Sequence, residues 1–233
     1  MTPMRCMLAC LSLLVMSTTA IAAEELPRIL FLGDRIHGQM IDAASKQMKD
    51  RARIESPAID VGDTGSALSQ LDEILGKTKW ELIYFNFGFG DLLYKDPRSK
   101  EIRAMSKTAG GVRVTSAQQY EKNLEALVTR LKATGAKLIW ATTTPMVDVK
   151  NMAPLYDAGS EIEYNQIAAK VMKKHGVPIN DMHAFVMKHT PPGPDPFFQT
   201  YFSALQKTAP MQEPVVAAIE AAIGRGLGES PSK

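Results

Sequence analysis

From Arg28 onward the chain alternates short, almost wholly apolar runs with longer stretches in which apolar residues recur every three or four positions. The runs Arg28–Leu32, Ala52–Glu55, Leu82–Asn86, Lys137–Thr142 and Pro178–Asn180 predict five strands. Near-continuous apolar character is what strands covered on both faces of a parallel sheet require. Between them the spacing predicts helices near Gln39–Met48, Ser66–Leu75, Ser116–Lys132 and Ile162–Lys174, and a last one near Met211–Arg225. The clearest stripe is Tyr120, Leu124, Leu127, Val128 and Leu131, which fall on one helical face. Strict β-α alternation predicts an α/β fold, a flavodoxin-like doubly wound three-layer α/β/α sandwich on a parallel five-stranded sheet. The expected domain is 24–226, followed by a flexible tail at 227–233.

Two segments break the rhythm. Leu93–Thr115 is too long for a plain connection and carries Lys95, Arg98, Lys100, Arg103, Lys107 and Arg113, with Gly110-Gly111 near its end. It reads equally as a solvated excursion and as a ligand-facing loop. His189–Phe198 is rich in proline and glycine and precedes the last helix. Ligands of open α/β sheets bind beyond the carboxyl ends of the strands, where both segments could reach.

Composition changes this picture little: 233 residues, 45% hydrophobic and 22% charged, suit one domain with a sizeable core. A net charge of +2, without a basic cluster interleaved with aromatics, argues against nucleic acid and gives no reason to invoke a membrane surface. The N-terminus adds more. Arg5, the apolar run Cys6–Met16 and the small residues Ala20-Ile21-Ala22 predict a secretory signal peptide over 1–23, with an uncleaved anchor as the alternative. Both cysteines, Cys6 and Cys10, lie inside it, so the exported domain has no disulfide, which suits a bacterial periplasm or exterior. No stable membrane span is expected after cleavage.

The candidate chemistry begins at Gly33-Asp34-Arg35, directly after the apolar run Ile29–Leu32. A strand ending in Gly-Asp and turning into a helix resembles the nucleophile block of the SGNH, or GDSL, hydrolases, with arginine where that family has serine. Further blocks follow in order. Phe85-Asn86-Phe87-Gly88-Phe89-Gly90-Asp91-Leu92 resembles the third block, Gly-x-Asn-Asp. Trp140-Ala141-Thr142-Thr143-Thr144-Pro145, Tyr164-Asn165 and Ile179-Asn180-Asp181-Met182-His183 are similar to stretches of one bacterial branch. Asp195-Pro196-Phe197-Phe198 stands where the family has its Asp-x-x-His or Asp-x-His block. The order of blocks over Arg28 to Arg225 is more specific than any one block.

That resemblance implies a serine nucleophile, a histidine base oriented by an aspartate, and an oxyanion hole completed by a second-block glycine N–H and a third-block asparagine. Here those positions are Arg35, Phe197, Asp195, either Gly62 or Gly65, and Gly90. A guanidinium supplies no nucleophilic oxygen, phenylalanine no base and glycine no side-chain donor. The expectation is therefore a degenerate hydrolase whose cleft, around Asp34, Arg35, Gly62, Gly65, Gly88, Gly90, Asp91 and Asp195, holds a small anionic, ester or carbohydrate ligand without a cofactor. The alternative is an active esterase or carbohydrate deacetylase with relocated residues, such as Ser66 with His37 or His189; as a structural residue, Ser66 reads as a helix N-cap. Arg35 admits two readings: it pairs with an Asp195 left without its histidine, or it forms an anion site with the N–H groups of the following helix. His175 suits a helix C-terminus, His183 a backbone group near the fifth strand, and four histidines without paired spacing predict no metal site. Phe85, Phe87, Phe89, Phe197 and Phe198 read more readily as core than as an aromatic platform.

Overall fold

A computed structural model of the protein describes residues 25–33, 35–57, 61–146, 155–189 and 212–229, with backbone alone at 35–37, 39 and 212–215. The signal segment 1–23, Asp34, Asp195, Phe197 and Phe198 lie outside these residues.

Five strands form one parallel sheet: β1 (Arg28–Leu32), β2 (Arg53–Glu55), β3 (Leu82–Phe85), β6 (Lys137–Ala141) and β7 (Ile179–Asn180), in the order β2-β1-β3-β6-β7. Alternate side chains of the strands serve opposite layers. Ile29, Phe31, Leu82, Tyr84, Ile139 and Ala141 join a core with α1 (Arg35–Gln47), α6 (Met182–His189) and α7 (Gln212–Leu227). Leu30, Leu32, Ile83, Phe85, Leu138 and Trp140 join the opposite core, under α2 (Thr64–Leu75), α4 (Ala117–Ala133) and α5 (Glu161–His175). The doubly wound α/β sandwich expected from the alternation is the fold observed.

Local chemistry sets most helix ends. Asp63 accepts the Gly65 and Ser66 N–H groups at 2.9 and 3.0 Å and caps α2, so the cap is Asp63 and not the expected Ser66, which sits one turn inside. Ser116 caps α4 by accepting the Gln119 N–H at 3.2 Å. Glu161 and Glu163 open α5 and Lys173, Lys174 and His175 close it, each sign matching the helix dipole. His175 also faces Glu125 of α4 at 2.7 Å.

Other departures have simple causes. Helix α1 starts at Arg35, four residues before the expected Gln39; Ile36, four residues before Met40, already belongs to the rhythm of Met40, Ile41 and Ala44. Helix α7 runs through Gly226 to Leu227, past the expected Arg225. A Cβ on Gly226 would meet Leu82 Cδ1 at 2.2 Å, so this glycine marks close helix–sheet approach and not a stop. Helices α3 (Phe89–Leu92) and α6 are too short to show a period. The Leu93–Thr115 segment folds as a small antiparallel hairpin of β4 (Tyr94–Lys95) and β5 (Val112–Arg113). Among the described residues no helix is long and apolar enough to cross a membrane.

The sheet's interior and edge should respond differently to truncation. Phe85→Ala, in fully buried β3 with neighbours on both sides, is expected to cost about 3–5 kcal/mol in urea unfolding. Ile179→Ala, 41% exposed on the edge strand, should cost under about 1 kcal/mol.

Candidate functional site

The order β2-β1-β3-β6-β7 reverses between β1 and β3, the switch point beyond whose carboxyl strand ends open α/β sheets place their ligand crevice. Leu32 of β1 lies in register with Phe85 of β3, and the Asn86 N–H donates to the Leu32 carbonyl at 2.8 Å. Gly33 follows on one side and Asn86 on the other. A Cβ on Gly33 would stand 2.8 Å from the Phe31 ring and 3.1 Å from the Asn86 carbonyl oxygen, so only glycine passes here undisturbed. Arg35 begins α1 immediately after, at the mouth of this crevice.

Asn86, which the sequence shows only as the polar end of an apolar strand, stitches the floor. Fully buried, it donates from Nδ2 to the Ala141 carbonyl at 2.9 Å, joining the ends of β3 and β6, while its Oδ1 has no hydrogen-bond partner. Phe87 and Phe85 are fully buried, as their core reading requires; Phe89 is half-buried against Tyr156, ring centroids 5.9 Å apart. Gly88 turns the chain at φ +155°, and a Cβ there would lie 2.2 Å from the Thr143 hydroxyl. Thr143 is itself fixed at both backbone groups: Asn165 accepts from its N–H at 2.9 Å and donates to its carbonyl at 2.8 Å.

The tightest contact brings the second and third blocks together. Gly90 packs so closely on Gly62 that a Cβ would lie 2.0 Å from the Gly62 carbonyl oxygen and 2.6 Å from its carbonyl carbon. Gly62, and not Gly65, faces Gly90; Gly65 is exposed in the first turn of α2, its N–H donating to Asp63.

Asp91 holds that contact. Its side chain is fully buried and accepts the Thr64 N–H at 3.1 and 3.2 Å and the Thr64 hydroxyl at 2.5 Å. The Asp91 carbonyl accepts from the Thr115 N–H at 3.0 Å. The chain of donors continues outward: Asn123 of α4 donates to the Thr64 hydroxyl at 3.0 Å, and Gln119 donates to Asn123 at 2.8 Å. Burial pushes the Asp91 carboxyl from 3.8 up to about 7, against the hydrogen bonds from Thr64 and Thr115, while nearby Asp63 raises it further.

The remaining candidates are engaged elsewhere. The Ser66 hydroxyl donates to Asp63 Oδ2 at 2.5 Å. His183 does not simply satisfy a backbone group: its Nε2 faces the buried Glu161 carboxylate at 3.2 Å, while its own N–H donates to the Thr142 hydroxyl at 2.8 Å. His189 Nδ1 lies 2.8 Å from the Phe185 carbonyl. The basic loop is tethered, since Lys107 and Arg113 both reach Asp157, at 2.9 and 3.0 Å, and the Tyr94 hydroxyl donates to the same carboxylate. No group of three His, Cys, Asp or Glu that could hold a metal is found among the described residues. Two concavities, of about 780 Å³ on the α4 flank and about 570 Å³ near the amino end of β6, lie away from the crevice, so size alone does not mark the site.

Solved structures of similar fold include a lipase/acylhydrolase and acetyl xylan esterases. The chain is similar to a lipase/acylhydrolase from Enterococcus faecalis, with a TM-score of 0.62 and 16% identity over 89% of this chain and 100% of that one. An acetyl xylan esterase gives a TM-score of 0.58 at 14% identity, covering 84% and 99% of the two chains. An acetylxylan esterase from Geobacillus stearothermophilus gives 0.59 at 16%, covering 89% and 97%. No protein-family model matches the sequence, and neither does any curated protein. The chain therefore has the SGNH/GDSL hydrolase-like fold.

Two outcomes follow from the Gly62–Asp91 corner. Gly90→Asn is expected to destabilise the fold by about 2 kcal/mol or more in urea unfolding, because the new side chain must displace the Gly62 backbone. A folded-state carboxyl above its unfolded value favours the protonated fold. The stability contributed by Asp91 is therefore full below about pH 3.8 and declines as pH rises toward 7. Asp91→Asn should flatten that decline, on the order of a few kcal/mol, in melting curves taken from pH 4 to 8.

Proposed function

We propose that this chain is an exported SGNH/GDSL hydrolase-like protein that lacks the family's catalytic apparatus and keeps the crevice as a binding site. The observation that carries this reading is the Gly62–Gly90 contact. A side-chain donor at Gly90 would have to grow from a Cβ 2.0 Å from the Gly62 carbonyl oxygen, so the place of the third-block asparagine is filled by backbone. Arg35 and Phe197, at the serine and histidine positions of the resemblance, remove nucleophile and base as well. Losing one triad member lowers the rate by several orders of magnitude, and what then remains depends on an oxyanion hole that is diminished here.

The ligand proposed is a small anionic, ester or carbohydrate molecule, held at the crevice mouth where Arg35 opens α1; the esterase neighbours, two of them acetylxylan esterases, support the ester or carbohydrate end of that range. The domain proper is residues 24–226, delivered by cleavage of the 1–23 signal to the periplasm or the exterior, with Arg35 and Asp195 as partners in the vacated site.

The test is p-nitrophenyl acetate hydrolysis by the purified chain, with fluorophosphonate labelling alongside. No turnover above the uncatalysed rate and no labelling are expected. Turnover that survives fractionation and disappears in Ser66→Ala would sink the proposal in favour of a relocated nucleophile.

A further inference from the structure

We propose that the outer face of the β4–β5 hairpin docks on the surface of an anionic lipid bilayer. A net charge of +2 hides how unevenly charge is placed. The segment Leu93–Thr115 carries six basic and two acidic side chains, while in the rest of the chain acidic residues outnumber basic ones. One end of the molecule is therefore a cationic projection on an otherwise slightly acidic body.

That projection is built to hold its shape. Lys95 pairs across the hairpin with Val112 on one side and with Ala104 on the other, so three short segments lie side by side. Directly opposed residues point to the same face, which puts Ala104, Lys95 and Val112 together on the outside. On the inside, Tyr94 and Arg113 are drawn to Asp157, and the Tyr94 N–H donates to the Leu155 carbonyl at 2.7 Å. The Tyr94 hydroxyl, with Lys107 and Arg113, holds the Asp157 carboxyl below its ordinary value, so the tether stays ionised. Gly111 completes the turn where a Cβ would meet the Met105 carbonyl at 2.3 Å.

The outside combines two chemistries. Lys95, Lys100 and Arg103 are in no ion pair among the described residues, and the Arg98 and Lys107 side chains remain 78% and 57% exposed. Beside them Ile102 and Val112 stand 47% and 44% exposed, two of the six large apolar side chains left exposed among the described residues. Cations alone would suit any polyanion. Apolar side chains set among them suit a headgroup layer, where the charges meet lipid phosphates and the apolar groups reach the acyl boundary. The bilayer is therefore favoured over an anionic polymer.

The experiment is cosedimentation of the full protein, purified from its producing cells, with vesicles of equal parts phosphatidylglycerol and phosphatidylcholine, and with phosphatidylcholine alone. Binding is expected to the anionic vesicles only and to weaken with salt. At about fivefold per charge, Lys95→Gln/Lys100→Gln/Arg103→Gln should weaken it roughly a hundredfold. Ile102→Ser/Val112→Ser should weaken it several-fold. The same neutralisation at exposed Lys77, Lys122 and Lys170, in the turn after α2 and on α4 and α5 respectively, should leave binding within about twofold, which separates this patch from net charge. Unchanged melting temperatures show that every variant is folded. Equal binding to both vesicle types, or equal loss in the two neutralised sets, overturns the proposal. So does binding to dextran sulfate that matches the anionic vesicles and ignores the Ile102→Ser/Val112→Ser change, which would assign the face to an anionic polymer.

Discussion

Deprived of water, the Asp91 carboxyl is stabilised only by what the protein supplies, and it draws on two loops at once: the Thr64 N–H and hydroxyl from the start of α2, and Thr115 from the segment entering α4. A carboxyl buried without these partners would be very costly, so the burial of Asp91 depends on both loops being in place around it. Their closure presses Gly90 onto the Gly62 carbonyl. Asn123 and Gln119 extend the same network into α4, so the corner is tied to the helix layer as well as to the sheet.

The crevice floor follows from a second set of polar contacts. Asn86 joins the ends of β1, β3 and β6 through one N–H to Leu32 and one amide to Ala141, and Asn165 clamps the backbone of Thr143 from α5. These side chains act on backbone groups, which is what a buried loop needs when no ladder satisfies it. Polar groups thus secure the strand ends on which the fold's crevice side is built.

The two faces of the molecule outside the crevice differ in kind. The α4–α5 side pairs its charges locally, with Glu125 serving both Lys174 and His175. In the hairpin segment Arg98 pairs with Asp96, and Lys107 and Arg113 with Asp157, while Lys95, Lys100 and Arg103 are in no ion pair among the described residues. Such segregation gives a directional field that the small net charge conceals, because screened surface charges act over about 10 Å and not over the whole protein.

Much of the fold was legible in the residues. Five expected strands fell in the observed places: β1, β3 and β6 because a strand buried on both faces is apolar throughout, and the partly exposed edge strands β2 and β7 beside them, while the stripe from Tyr120 to Leu131 became the buried face of α4. The blocks around Gly33, Gly88 and Asp91 announced the crevice. The short helices α3 and α6 left no period to detect, and the close packing of Gly226 on Leu82 was not visible because a glycine's neighbours cannot be read from one sequence. The role of Asn86, the choice of Gly62 over Gly65 against Gly90, the capping of α2 by Asp63 and the pairing of His183 with Glu161 were settled by tertiary structure alone. The sequence by itself determined the alternation that buries a parallel sheet, because burial depends on local periodicity. Which backbone groups meet at the crevice depends on contacts between residues far apart in the chain, and only the folded structure brings those into register.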